Sequence, residues 1–132
     1  MNKSSPRTKQ QVPLPGVPEA VRSMVHIDAL YIDSLDEYVR VEIPNTFEWT
    51  LGDQVTLSWT GEDSFDTYTD MKVIDSDEDP LIFWVNAARY VRPYVKRAVT
   101  LYYTVQYVAG GGIEKSPSLT LEVSEGSGPG NA

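Results

Sequence analysis

The residues best suited to chemistry in this sequence are carboxylates crowded into one short segment. Asp75, Asp77 and Asp79 alternate there, and Asp66 or Asp70 could add a carboxylate from upstream. Several closely spaced oxygen ligands are what Ca²⁺ requires, so these aspartates are a candidate metal site. The segment lacks the ligand spacing and the central glycine of an EF-hand loop. We therefore favour a solvated anionic turn that protects a neighbouring edge strand, and we expect no metal.

Aromatic residues form a second candidate site. The candidate ligand-binding residues are Trp84, Tyr90, Tyr94 and Tyr102. Exposed aromatic faces stack on sugar rings and on peptides, so this set predicts a carbohydrate or a protein as partner. The alternative is structural: Trp84 would lie under the segment that follows it, and Tyr102 would be an ordinary cross-strand partner.

Basic residues follow the acidic segment at Arg89, Arg92, Lys96 and Arg97. They could bind an acidic partner. They could equally pair with carboxylates of this chain or remain solvated, and we favour these two interpretations.

Catalytic motifs are missing from the sequence. His26 is the single histidine, and the G-x-S-x-G, HExxH and phosphate-binding glycine-rich patterns are absent. The run Gly110–Gly112 joins two predicted strands, which indicates a hairpin turn with positive φ angles. We predict a protein that is not an enzyme and that needs no cofactor.

Length and charge limit the function further. A chain of 132 residues suits one domain, and with no cysteine it has neither disulfides nor thiolate metal sites. Its net charge of −8 argues against nucleic acid or an anionic membrane as partner. Apolar runs are too short to insert into a membrane, and the first residues lack the apolar core of a secretory signal. We expect a monomer.

Alternating apolar residues dominate the middle and the end of the chain. On the predicted strand Val99–Val108, the residues of one face are Val99, Leu101, Tyr103, Val105 and Tyr107. The same period of two predicts strands at Tyr38–Ile43, Val55–Thr60, Leu81–Val85 and Leu119–Val123, and a less regular edge strand at Phe65–Ile74. Asn86–Tyr94 predicts a short helical turn. Many short strands separated by turns indicate a sandwich or a barrel.

The order of motifs resembles a known family. In chain order the motifs are LPGVPEA, VRVEIP, LGDQVTLSWTG, DPLIFWV, VTLYYTVQYV and SPSLTLEV. This series is similar to the immunoglobulin-like repeat of large repetitive surface and secreted proteins of Gram-negative bacteria. Its most specific parts are the turn Gly52–Asp53 before Trp59, the Tyr103–Val105 core of a strand, and Ser116–Pro117 before the last strand.

The resemblance implies a fold and a function. The fold would be all-β, an immunoglobulin-like β-sandwich of about seven antiparallel strands. It would span residues 12–124, between a disordered tail at 1–11 and a flexible tail at 125–132. The function would be that of a non-catalytic structural or adhesive module at the cell surface or outside the cell. The alternative is a stand-alone domain that binds carbohydrate or protein through its aromatic face.

Two core residues acquire roles from the same resemblance. Without a disulfide, Trp59 would pack on aliphatic neighbours. Tyr103 should face the core because of its place in the alternating strand, and in an immunoglobulin-like fold its hydroxyl could anchor a tyrosine-corner-like hydrogen bond to backbone a few residues upstream.

Overall fold

The computed structural model describes residues 13–18, 20–22, 28–44, 49–63, 67–75 and 81–126. The strands are β1 (Val21–Arg22), β2 (Asp28–Tyr31), β3 (Tyr38–Ile43), β4 (Gln54–Gly61), β5 (Thr67–Val73), β6 (Leu81–Asn86), β7 (Ala98–Gln106), β8 (Ile113–Lys115) and β9 (Leu119–Ser124). A helix α1 (Ala87–Tyr90) follows β6, and 3-10 turns span Ile32–Ser34 and Arg92–Tyr94. The predicted tail at 1–11, His26 and Asp66 lie outside the described residues, as does 127–132 of the predicted C-terminal tail.

The strands form two packed sheets, which confirms the predicted all-β sandwich. The larger sheet has the order β1-β2-β9-β7-β4-β5, with β8 also paired to β7. The smaller sheet, within the described part of the chain, consists of β3 and β6. Since β5 ends the order of the larger sheet, the prediction of an edge strand there is confirmed.

Alternation places one face of each central strand in the core. Leu57 of β4 pairs with Tyr103 of β7, and both side chains are fully buried. Across the core, Val41 of β3 pairs with Phe83 of β6, and these side chains are fully buried as well. The intervening residues of each strand point away from the core, because successive side chains alternate across a sheet. The predicted buried faces of these strands are confirmed.

One pairing differs from the antiparallel arrangement that the sequence predicted. β2 pairs with β9 in parallel, with Leu30 opposite Val123 and Tyr31 opposite Ser124. Parallel neighbours need a long connection, and here the whole series β3 to β8 separates them. The described residues also form more strands than predicted, because β1 and β8 are too short to show an alternating pattern.

The hydroxyl of Tyr103 does not make the tyrosine-corner bond that we hypothesised. It donates a hydrogen bond of 2.6 Å to the carbonyl of Pro13, which lies 90 residues upstream rather than a few. The bond therefore ties the segment that leads into the domain to the centre of β7. Burial, with a smaller contribution from Tyr107, raises the pKa of Tyr103 well above its usual range.

Asp53 is a buried carboxylate, although its sequence context predicts only a turn residue. Gly52 has a φ of +97°, which confirms the turn. The Asp53 carboxylate accepts a 2.8 Å hydrogen bond from the backbone N–H of Thr50 and another of 2.8 Å from that of Val108. It therefore joins the start of β4 to the turn that follows β7.

We expect Asp53→Asn to lower the free energy of unfolding by about 2 kcal/mol, because the amide can accept only one of these bonds and presents a donor to the other N–H. Urea denaturation measures the change. The matched control is Asp75→Asn at an exposed position, which should change the value by less than about 0.5 kcal/mol. Equal effects of the two substitutions would contradict this role of Asp53.

Candidate functional site

Trp84 is the most exposed of the four aromatic residues that the sequence singled out. On β6, Phe83 and Val85 face the core, so Ile82 and Trp84 point to the outer face of the smaller sheet. The Trp84 side chain is 51% exposed. The alternative that the following segment covers Trp84 is therefore wrong.

A shallow depression surrounds the Trp84 ring. It has a volume of about 440 Å³ and is lined by Trp84, Tyr38, Arg40, Asp36 and Glu37. Arg40 of β3 stands directly opposite Trp84 of β6, and Tyr38 precedes it on the same outer face. The two acidic residues belong to the connection that leads into β3. We call this group of five residues the Trp84 depression.

The Trp84 depression combines flat apolar surface with groups that form hydrogen bonds. Tyr38 is 43% exposed and adds a second accessible ring to that of Trp84. The Arg40 guanidinium lies 2.9 Å from the Glu42 carboxylate, which orients it along the outer face. Rings that stack, beside a guanidinium and carboxylates that donate and accept hydrogen bonds, suit a sugar or a peptide.

Tyr94 is not the outward aromatic residue that the sequence predicted. It is only 3% exposed, and its hydroxyl donates a 2.9 Å hydrogen bond to the carboxylate of Asp63. Its ring lies so close to Gly61 that a Cβ at that position would come within 2.0 Å of the ring. Tyr94 therefore closes the end of the core, and glycine at 61 leaves the space for it.

Tyr90 has a similar structural position at the end of the core. The indole N–H of Trp59 donates a 3.1 Å hydrogen bond to the Tyr90 carbonyl, and the Tyr90 ring lies 5.3 Å from that of Tyr68. Asn86 caps α1 by accepting a 3.0 Å bond from the backbone N–H of Arg89, so the predicted helical turn is confirmed. Burial and the adjacent Asp70 raise the pKa of Tyr68 to about 12.

Tyr102 lies on the outer face of the larger sheet. The Lys115 ammonium is 4.2 Å from the centre of its ring, a cation–π contact. The sheets pack through their inner faces, so Tyr102 and Trp84 point out of opposite sides of the sandwich. The structure therefore does not bring the four predicted aromatic residues together into one platform.

The partners of Trp84 could not be identified from the sequence. The alternating pattern predicts that Tyr38 and Arg40 lie on the solvent-exposed face of a strand, but it does not show that this strand pairs with β6. The sequence showed only that Tyr38 and Arg40 on one strand, and Trp84 on another, lie on the faces that point away from the core. Registry between distant strands decides which outward residues become neighbours.

The predicted basic cluster contacts other groups of this chain. Arg92 donates to the carbonyl of Ile32 at 3.2 Å, and Arg97 lies 3.7 Å from the Asp63 carboxylate. Lys96 lies 3.9 Å from the Glu125 carboxylate, and the Arg89 guanidinium is 5.1 Å from the centre of the Tyr90 ring. These contacts fit the interpretation that the cluster pairs within the chain.

The calcium hypothesis is only partly covered by the structure. Asp75 is exposed, whereas Asp77 and Asp79 lie outside the described residues. Within the described ranges, no three His, Asp or Glu side chains are grouped so that they could hold a metal ion. Among the same residues, no helix is long and apolar enough to span a membrane.

A scan against protein-family models, a search of curated proteins and a search of solved structures each gave no match to this chain.

Proposed function

We propose that this chain is a non-catalytic, immunoglobulin-like structural or adhesive module, of the kind repeated in surface and secreted proteins of Gram-negative bacteria. The strand order supports the immunoglobulin-like part. The neighbours β9-β7-β4-β5 match strands G, F, C and C′ of a variable-type domain, and β3-β6 match strands B and E. Gly16 forms an isolated bridge to Glu42 of β3, where strand A would lie along strand B.

The buried tryptophan supports the same proposal. In this correspondence β4 is strand C, which carries the central tryptophan of immunoglobulin domains. Trp59 of β4 is fully buried and belongs to the hydrophobic core. With no cysteine in the chain, the core around the indole is built without the usual disulfide.

The observation that carries the structural role is the parallel pair of β2 and β9. The pair continues beyond β9, because the N–H of Asp33 donates a 2.9 Å hydrogen bond to the carbonyl of Gly126. Because β2 and β9 are parallel, the N-terminal end of β2 and the C-terminal end of β9 lie at opposite ends of the paired strands. A pull on the two termini therefore shears the bonds between β2 and β9 together instead of opening them one by one. This geometry suits a module that holds its neighbours at a distance under load.

Single-molecule force spectroscopy tests this role. The chain is pulled along two axes: through its termini, and through handles on Asp28→Cys and Glu122→Cys. Ala29 pairs with Glu122, so the second pair of handles lies at one end of the two strands and opens them from that end. The chain has no native cysteine to compete for the handles.

We expect a clearly higher unfolding force through the termini than through the paired handles, at equal loading rate. Equal forces along the two axes would show that the β2–β9 pair does not bear the load. That result would remove the main support for a structural role.

A second candidate function is favoured by the Trp84 depression: binding of a carbohydrate or a protein. Trp84 and Tyr38 expose large apolar surface beside charged groups. Neither ring belongs to the hydrophobic core, so core packing does not explain why large aromatic residues occupy these two positions. A stand-alone binding domain would use this surface, and an adhesive module could use it within a longer chain.

A glycan array or a protein-binding screen should identify a ligand that binds saturably. We expect Trp84→Ala to lower the affinity for that ligand at least about tenfold. The matched control is Tyr102→Ala, which removes an aromatic ring from the outer face of the other sheet. A ligand that is retained by Trp84→Ala and lost by Tyr102→Ala would place the binding surface on the larger sheet instead.

A further inference from the structure

We propose that β6 is an open docking edge on which a second copy of this chain pairs in antiparallel orientation. The proposal concerns the backbone of β6 and does not depend on the immunoglobulin-like function.

Hydrogen bonds at Glu42 establish these directions. The N–H and C=O of Glu42 exchange bonds of 2.7 and 2.8 Å with Gly16, so they point away from β6. Peptide groups alternate sides along an antiparallel strand, so Val41 directs its groups toward β6. Its partner Phe83 therefore bonds to β3, whereas Ile82 and Trp84 direct their N–H and C=O groups to the opposite side. Among the described residues, no strand pairs with that side of β6.

The edge strand β5 of the larger sheet is protected against pairing with another strand, whereas β6 is not. On β5, Asp70 and Lys72 pair with the core-facing residues Leu57 and Val55, so charged side chains occupy the inner face of the edge strand. The backbone N–H of Met71, which points away from β4, donates a 2.9 Å hydrogen bond to the Asp70 carboxylate. Inward-pointing charges and occupied backbone donors are devices that prevent edge pairing.

Within the described part of the chain, β6 has none of these devices. Its sequence LIFWVN contains neither a charged residue nor a proline, and both of its faces carry large apolar side chains. An uncharged edge strand with free peptide groups is a template for another strand. The contrast with β5 indicates that pairing at β6 is tolerated rather than prevented.

A second copy fits this edge with two-fold symmetry. If the axis passes beside Phe83, Ile82 of one copy stands opposite Trp84 of the other, and the reverse holds at the same time. These are the two residues whose peptide groups point outward, so the pairing forms reciprocal hydrogen bonds. It also places Trp84 next to Ile82 of the partner subunit on the outer face.

Two-fold symmetry favours the antiparallel orientation. The outward groups of Ile82 and Trp84 bond reciprocally only when the two copies of β6 run in opposite directions, because directly opposed residues exchange both hydrogen bonds in an antiparallel pair and not in a parallel one.

Sedimentation of the full chain tests the proposal. We expect a dimer fraction that rises with protein concentration between about 1 μM and about 1 mM. Ile82→Lys should weaken the dimer at least about tenfold, because it puts a charge on the edge without touching the bonds to β3. The control Thr69→Lys puts the same charge on an exposed position of β5 and should change nothing. A chain that stays monomeric throughout, or a dimer that Ile82→Lys does not weaken, overturns the proposal.

Disulfide trapping tests the register independently of the lysine variant. Ile82→Cys mixed with Trp84→Cys should cross-link on mild oxidation, because Cα atoms of a hydrogen-bonded antiparallel pair lie about 5.5 Å apart, within disulfide range. Ile82→Cys mixed with Thr69→Cys is the control and should give only background. Equal cross-linking in both mixtures overturns the proposed register and edge.

Discussion

Trp59→Ala will lower the free energy of unfolding by about 3–5 kcal/mol, most of the stability of a marginal domain. The indole is fully buried near the end of β4 and donates a 3.1 Å hydrogen bond to the Tyr90 carbonyl. The substitution leaves a cavity in the core and takes away the bond that holds α1 over the end of the sheet. Urea denaturation followed by circular dichroism measures the loss.

Trp84→Ala is the matched control for that prediction. It removes the same side chain from a position that is half exposed, so the free energy of unfolding should change by less than about 1 kcal/mol. A loss at Trp84 as large as the loss at Trp59 would show that the inner and outer faces of the strands had been assigned wrongly.

Tyr103→Ala should also cost about 3–5 kcal/mol, because this fully buried ring lies opposite Leu57 in the centre of the larger sheet. Tyr103→Phe separates the ring from its hydroxyl. It keeps the packing but leaves the carbonyl of Pro13 without its bond, at a cost of about 1–2 kcal/mol. Equal losses for the two substitutions would contradict the role of the ring in the core.

The pH dependence of stability provides a further test at Tyr103. Its pKa is raised in the folded protein because burial disfavours the phenolate, whereas an unfolded tyrosine ionises near pH 10. The contribution of this group is therefore complete below about pH 10 and declines as the pH rises beyond it. Tyr103→Phe should reduce this alkaline loss of stability. Part of the loss will remain, since the pKa of Tyr68 is raised as well, to about 12.

The sequence predicted the sandwich because the period of two records which side of each strand is buried. Val55, Leu57 and Trp59 could be assigned to the core from their spacing alone, and the structure buries all three. The edge position of β5 was predictable because its apolar residues are few and its charges are dense. The structure adds that two of these charges, Asp70 and Lys72, lie on the inner face of the strand.

Contacts between distant segments could not be predicted. The parallel pair of β2 and β9 joins the two ends of the domain, and no local pattern specifies which strands become neighbours. Asp53 looked like a turn residue, because the N–H of Val108 that it binds lies 55 residues away. Tyr94 was predicted to be exposed for a similar reason. Its burial depends on the space that Gly61 leaves at the end of β4, 33 residues earlier in the chain.

The Trp84 depression illustrates the same limit for function. Trp84 was identified from its strand, but Tyr38 and Arg40 became its neighbours only through the register between β3 and β6. The predicted partners Tyr90, Tyr94 and Tyr102 were chosen by residue type, and the fold distributes them to the end of the core and to the opposite face.

The parallel pairing of β2 with β9 supports the structural role more than any other feature, and nuclear Overhauser effects test it most directly. In a uniformly labelled sample, Leu30 should show backbone contacts to Glu122 and Ser124, on either side of its partner Val123. Close contacts between opposed Hα atoms, which mark antiparallel strands, should be absent between β2 and β9. Antiparallel contacts, or no contacts between these strands, would contradict the account.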